Sequence, residues 1–317
     1  MKVVIIGGTG HVGTFLVPRL VTAGHEVISV SRQKRKPYHS HPTWNLVKQV
    51  VIDRTEAEKK NTFGEQILEL SPEVVIDMLC YTAESVKILV EALRGKIQHF
   101  ISCGTIWVHG FSEQVPTKEN HPRRPFGNYG INKAACESYL LSAYRQTGFP
   151  ATIIHPGHIV GPGWIPVNPT GNFDPEVFKK LANGEEILLP NFGLETVHHV
   201  HADDVAQSFI KAIDNRNSAL GENFHIVSEQ ALTLKGYAMA IAAWFGREAR
   251  LGFLPWDKWK DTVSKNDADA TWDHISHSPN CSIEKAKRLL NYSPRYTSLQ
   301  AVQESVTYLM ENEKIKL

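Results

Sequence analysis

The sequence predicts an α/β protein: a doubly wound parallel sheet with a smaller, mostly helical carboxyl-terminal lobe. Three observations predict it. Short β-branched blocks alternate with longer amphipathic ones through the first half of the chain. The blocks show little polar alternation, as strands do when helices cover both faces of a sheet. A glycine-rich turn joins the first block to the first helix. Alternation at this spacing is what right-handed βαβ crossovers require.

In order, Lys2–Ile6, Glu26–Ser31, Leu46–Ile52, Glu73–Leu79, Gln98–Cys103 and Ala151–His155 read as strands, each rich in Val, Ile, Leu or Phe. Between them Val12–Ala23, Thr55–Leu70, Glu84–Leu93 and Tyr129–Thr147 read as helices. Pro18 lies inside the first and must remove one backbone hydrogen bond. After Pro156 the texture changes: Gly157–Asn172 is rich in Gly, Pro and Asn and reads as a long loop. Beyond it come a helix near Pro175–Ala182, a strand near Thr196–Val200, a helix near Asp203–Ile213 and a strand near Asn223–Val227. The remainder reads as mostly helical, with an irregular polar stretch at Ser264–Pro279.

Composition removes several classes. Of the 317 residues 42% are hydrophobic, and 34 Lys+Arg against 33 Asp+Glu leave a net charge of +1; the chain is too apolar and too neutral for a disordered polymer. No window approaches the roughly 18 apolar residues of a membrane span. Near-neutrality and the lack of a basic–aromatic stripe argue against a nucleic-acid partner. Four scattered cysteines form neither a disulfide framework nor a C-x-x-C metal pattern. The amino terminus has an apolar run of only four residues before glycines begin, too short for a signal-peptide core. A cytoplasmic protein with reduced thiols is expected.

Gly7-Gly8-Thr9-Gly10-His11-Val12-Gly13 spaces Gly7, Gly10 and Gly13 as G-x-x-G-x-x-G between a strand and a helix. Such a turn lets the backbone approach a pyrophosphate, which then meets the free amides of the helix. Dinucleotide binding follows. At the end of the second strand, where an acidic side chain would hold the ribose 2′-hydroxyl of NAD, stand Ser31 and Arg32, then Lys34, Arg35 and Lys36. Cationic groups there favour a 2′-phosphate, so NADP(H) is expected over NAD(H). Asp53 reads either as an acceptor for the adenine amino group or as a helix N-cap. Residues 1–160 plus about 200–228 would form the dinucleotide-binding domain; about 161–199 plus 229–317 would form the substrate lobe.

Tyr129-Gly-Ile-Asn-Lys133 is the only Tyr-x-x-x-Lys in the chain. On a helix the pair shares one face, and an ammonium there stabilises phenolate, making the tyrosine a usable acid/base. Thr105 stands just past the carboxyl end of the fifth strand, where its hydroxyl could hydrogen-bond a substrate carbonyl or alkoxide; Ser102 lies earlier, within the strand. His198-His-Val-His201-Ala-Asp-Asp204 invites a metal reading, but strand alternation puts His198 opposite His199 and His201, so no metal site is expected. Asp203 or Asp204 is expected to cap the following helix.

The glycine turn, Thr105 and Tyr129/Lys133 together resemble the extended short-chain dehydrogenase/reductase family, with its Rossmann domain, and especially its NAD-dependent epimerase/dehydratase branch. HFISCGTIWVHG at His99–Gly110 is similar to the family's strand ending in Ser/Thr and Val-Tyr-Gly, with His109 where Tyr is usual. HPGHIVGPG from His155 resembles its Arg-Pro-x-x-x-Tyr-Gly-Pro-Gly, VHADDVA from Val200 its Val-His-Val-x-Asp-Val-Ala, and SIEKAKRLLNYSP from Ser282 its carboxyl-terminal helix signature. The resemblance implies reversible hydride transfer between nicotinamide C4 and a carbinol carbon. Tyr129 would exchange the hydroxyl proton, Lys133 would lower its pKa and hold the nicotinamide ribose, and Thr105 would fix the reacting oxygen. Cofactor contacts are expected at Gly7, Thr9, Gly10, His11, Val12, Gly13, Ser31, Arg32, Asp53, Arg54, Leu79, Cys80, Tyr129, Lys133, Pro156 and His158. Substrate contacts are expected at Tyr81, Thr82, Trp107, His109, Trp164, Asn172 and His198. A homodimer paired through long helices is implied as well.

The substrate implied is a carbohydrate: a sugar, a sugar acid or a nucleotide-sugar. Members acting on nucleotide-sugars place an arginine about seven residues before the Asp of the His-x-x-Asp segment, and another before the carboxyl-terminal helix. Here Leu194–His198 and Trp272–His277 contain none, and uncompensated phosphate charge is costly in a closed cleft. Epimerase, dehydratase and plain NADP-dependent carbonyl reductase or alcohol dehydrogenase all remain open, as does a non-catalytic, cofactor-binding RNA-associated protein.

Overall fold

The computed structural model describes residues 1–315. Its strands are β1 (Lys2–Ile6), β2 (Glu26–Ser31), β3 (Lys48–Val51), β4 (Val74–Asp77), β5 (His99–Cys103), β6 (Ala151–Pro156), β7 (His158–Val160), β8 (Glu186–Pro190), β9 (Thr196–Val197), β10 (His199–His201), β11 (Asn223–Ile226), β12 (Leu232–Thr233) and β13 (Arg250–Leu254). Seven of them form one parallel sheet in the order β11-β6-β5-β4-β1-β2-β3. Val3 and Ile5 pack on one side of it and Val4 and Ile6 on the other, all buried, which is why the strands read as apolar without alternation. Three two-stranded pairs stand apart from it: β7 with β10, β8 with β13, and β9 with β12. A third apolar cluster, holding Phe178, Leu189, Tyr237 and Val302, lies among these later segments.

The helices are α1 (His11–Thr22), α2 (Arg54–Lys59), α3 (Phe63–Glu69), α4 (Ala83–Leu93), α5 (Gly127–Thr147), α6 (Glu176–Asn183), α7 (Ala202–Asp214), α8 (Arg216–Ala219), α9 (Leu234–Trp244), α10 (Trp256–Trp259), α11 (Lys265–His277), α12 (Glu284–Leu290) and α13 (Ser298–Glu311). None is long and apolar enough to cross a membrane. Helix α1 runs through Pro18 unbroken.

Four expectations need correction. The helix expected over Thr55–Leu70 is two, because Asn61 turns to φ 55° and ends the first. The stretch expected to be irregular, Ser264–Pro279, contains helix α11: Ser264 Oγ accepts from the Asp267 amide, and Ala268, Thr271 and Ile275 make its buried face. The loop Gly157–Asn172 carries β7. Helix α7 is capped by His201, whose Nδ1 accepts from the Asp203 amide at 3.0 Å. Asp203 instead receives Arg19 and Arg295, each within 2.8 Å, and Asp204 accepts from the amides of Arg295 and Tyr296.

Candidate active site

Strands β1 and β4 are neighbours at the point where the sheet order reverses, so their carboxyl ends open a crevice. Gly7, at φ 92°, sits in it; a Cβ there would lie 2.7 Å from Leu79 Cγ. A Cβ on Gly13 would collide with the Gly8 carbonyl, so only glycine lets α1 pack on the turn. Gly10 differs: only the Gly7 carbonyl, 3.4 Å away, lies near its missing Cβ, and a methyl there would fill the crevice itself. No side chain caps α1, which leaves its first amides for an acceptor in that space. A groove of about 410 Å³ runs from Gly7, Thr9 and Gly10 past Ser31, Arg32, Lys34 and Arg35 to Asp53, Arg54, Leu79 and Tyr81. These residues fit a dinucleotide lying along the strand ends.

Several of them have structural duties too. Asp53 caps α2, accepting from the Thr55 amide at 3.1 Å, and Ser31 Oγ accepts from the Gln33 amide. Arg54 is committed to Asp77 at 2.9 Å and Glu58 at 2.6 Å, so it walls the groove with its charge already paired. Val12 and Cys80 point into the core, and Pro156 is buried at the end of β6.

A second cavity of about 270 Å³ continues beyond the turn, lined by His11, Thr105, Trp107, Tyr129, His158, Trp164, Val167, Phe173 and His274 among others. The glycine turn, the end of β5, the start of α5 and the loop after β6 therefore converge here. Tyr129 is 44% exposed. Lys133, one turn later on α5, is buried, its Nζ donating to the carbonyl oxygens of Cys80 at 2.7 Å and Cys103 at 2.8 Å. It lies 4.8 Å from the Tyr81 ring centre and 5.9 Å from that of Tyr129. Burial pushes the Tyr129 phenol above its usual range, with Cys103 adding to the shift and the Thr105 hydroxyl opposing it. The phenol thus keeps its proton, contrary to the downward shift expected from Lys133 alone.

Behind Thr105 lies a buried polar chain with no counterpart in the sequence reading. The Thr105 amide donates to His155 Nδ1 at 2.9 Å, and His155 Nε2 is 3.1 Å from Glu137 Oε1. A Cβ on Gly104 would collide with His155 Nδ1, so glycine at that position admits the ring. Glu137 accepts two further bonds from Arg123, at 2.6 and 2.8 Å. Burial opposes the Glu137 charge, but His155 and Arg123 outweigh it and hold the carboxyl well below the usual range.

Four expected substrate contacts are placed elsewhere. Asn172 is buried between Asn168 at 2.6 Å and Thr271 at 3.1 Å. His198 accepts from the Cys281 amide through Nδ1 and donates through Nε2 to the Ser228 carbonyl at 2.9 Å. His109 pairs with His225 at 2.8 Å, outside the second cavity. Thr82 caps α4. Trp107 and Trp164 do line the cavity, and Tyr81 lines the groove. The reading missed Val167, Phe173 and His274; the last comes from α11, whose polar composition hid its helical period. Among the described residues no group of three or more His, Cys, Asp or Glu is placed to hold a metal ion.

Comparison with known proteins agrees with this fold. The chain is 28% identical over 312 residues to chloroplast stem-loop binding protein of 41 kDa b from Arabidopsis thaliana, covering 96% of this chain and 78% of that one. It is 24% identical to 2'-dehydrokanamycin reductase from Streptomyces kanamyceticus, over 73% of this chain and 63% of that one. The structure of UDP-glucuronic acid 4-epimerase from Bacillus cereus, in complex with UDP-glucuronic acid and NAD, superimposes with a TM-score of 0.72 at 18% identity, covering 98% of this chain and 100% of that chain. Residues 3–226 match the model of the NAD dependent epimerase/dehydratase family. With a reversing parallel sheet and a glycine turn shaped for a dinucleotide, the chain belongs to the NAD-dependent epimerase/dehydratase family.

Proposed function

We propose that the protein is an NAD(P)-dependent enzyme that interconverts a carbinol and a ketone on a carbohydrate-like substrate. The observation that carries this reading is the convergence of Tyr129 and Thr105 on one cavity, with the Lys133 ammonium buried beside the phenol. The nicotinamide, when bound, supplies or takes the hydride. The protein's own residues handle the proton and the oxygen. Tyr129 gives its proton to the reacting oxygen or takes it back. Thr105 orients that oxygen by a hydrogen bond. Lys133 has three N–H groups, two of them spent on main-chain carbonyls; the third is left for a ribose hydroxyl.

Arg32, Lys34 and Arg35 at the groove mouth support NADP(H) over NAD(H), to be decided by competition between the two cofactors. The residues named serve a reaction that ends at the ketone level as well as one that returns the hydride. A homodimer belongs to this reading and sedimentation velocity tests it. The Tyr129→Phe variant should lose at least about 100-fold in kcat, since general acid–base catalysis contributes about 10²–10⁴-fold, while its cofactor affinity by fluorescence titration stays within about twofold. Undiminished turnover would remove the mechanism. A second reading, a cofactor-binding protein that associates with RNA, is favoured by the name of the chloroplast relative; salt-sensitive binding of a stem-loop RNA without turnover of any carbonyl substrate would establish it.

A further inference from the structure

Among the described residues, the lining of the second cavity includes no Arg, Lys, Asp or Glu. Beyond Thr105, Tyr129 and the indole N–H groups of Trp107 and Trp164, its polar side chains are imidazoles. His274 donates through Nδ1 to the Gly171 carbonyl at 2.7 Å, so its neutral ring keeps Nε2 as a free acceptor. His158, with ring centre 4.8 Å from that of His274, has a buried Nε2 with no partner. His11, 5% exposed, also leaves its ring nitrogens without a hydrogen bond and stacks on Trp164 at 4.7 Å. Burial holds all three rings uncharged near neutral pH. Buried polar nitrogens left unpaired cost stability unless a ligand pairs them.

The cationic side of a diphosphate site is missing as well. Val197, seven residues before Asp204, is wholly buried in the apolar cluster of the later segments. In helix α11, Trp272 packs on Trp256 at 5.3 Å, and His277 stacks on Trp107 at 4.1 Å. The volume of about 270 Å³ falls just under the about 300–1,000 Å³ usual for drug-sized ligands, which suits a single ring.

We infer that the substrate site takes an uncharged, polyhydroxylated ring, a free sugar or its keto form without phosphate or nucleotide, whose hydroxyls are read by His158 and His274 and whose C–H face lies on Trp107 or Trp164. The inference rests on the proposed function, but its test separates the two. The wild-type protein, saturated with NADPH or NADH, is titrated by calorimetry with neutral aldoses and ketoses, hexose phosphates, UDP-sugars and an aryl ketone. Cofactor binding is measured first; its failure would fall on the proposed function, not on this inference. With cofactor bound, neutral sugars should bind at least tenfold more tightly than their phosphorylated or nucleotide-linked forms. His158→Phe and His274→Phe should each weaken the neutral sugar about tenfold, His274→Phe without moving cofactor affinity, and His274→Arg should shift preference toward the hexose phosphate. Tighter binding of UDP-sugars or of the aryl ketone, or binding of no sugar at all by the cofactor-loaded protein, would overturn the inference.

Discussion

Thr105 is held by its own backbone. Its amide donates to His155 Nδ1, which must therefore be the unprotonated nitrogen of a neutral ring; the proton sits on Nε2 and points to Glu137. Removing the ring leaves a buried amide and part of a carboxylate without partners and frees the turn that carries the Thr105 hydroxyl. Misplacement of about 1 Å costs up to about 100-fold in rate, so His155→Ala should lower kcat by about 10–100-fold with cofactor affinity unchanged. His155→Asn, which can accept through its amide oxygen, should recover part of the loss. An alanine variant with full kcat would show that Thr105 needs no such support. This chain was invisible in the sequence because its members stand at positions 105, 123, 137 and 155, and nothing local links them.

At the scale of elements, α1 and α7 are fastened by Asp203, which bridges Arg19 and Arg295. Asp203 is 9% exposed in its side chain and the arginines are 34% and 59% exposed, so solvent weakens both pairs. Asp203→Asn should therefore cost only about 1–2 kcal/mol, at or below the low end of the range of about 1.5–3 kcal/mol for hydrogen bonds to charged groups, and lower Tm by a few degrees in calorimetry; an unchanged Tm would make the bridge ornamental. Elements with a strong local signal were legible: the six early strands, the glycine turn and the tyrosine helix stand where their patterns put them. Helix α11 was not, because its buried face is made of Ala268, Thr271 and Ile275, flanked by buried histidines, and small or polar residues carry little hydrophobic period. Asn172 and His198 misled for a related reason: the groups that occupy them, Thr271, Ser228 and Cys281, lie far along the chain.

For the whole molecule, the unusual feature is its store of buried, neutral histidines. His11, His99, His109 and His199 are pushed down to about 3, and His198, His201, His274 and His277 to about 4, in each case chiefly by burial. Their folded pKa values lie below the unfolded value, so above pH 6.5, where folded and unfolded rings are both neutral, they carry no proton-linked cost. Below it the unfolded chain takes up protons that the folded one refuses, and stability falls until the folded values are reached. Each group contributes about 1.4 kcal/mol per pH unit in that window. Asp204, raised by burial to about 6, works in the opposite sense together with Glu119, Asp273 and Glu304, which burial also raises, but these carboxyls are fewer than the histidines. Scanning calorimetry should find Tm at pH 5.5 at least about 10 °C below that at pH 7.5, given about 2–4 °C per kcal/mol for larger domains; a flat profile would mean the rings titrate freely. At the other end of the scale, the Lys133 ammonium rests on two main-chain oxygens, those of residues 80 and 103. Every amino acid carries such an oxygen, so evolution is free to replace either cysteine without loosening the cation, and its anchorage is inherited from the architecture of the sheet.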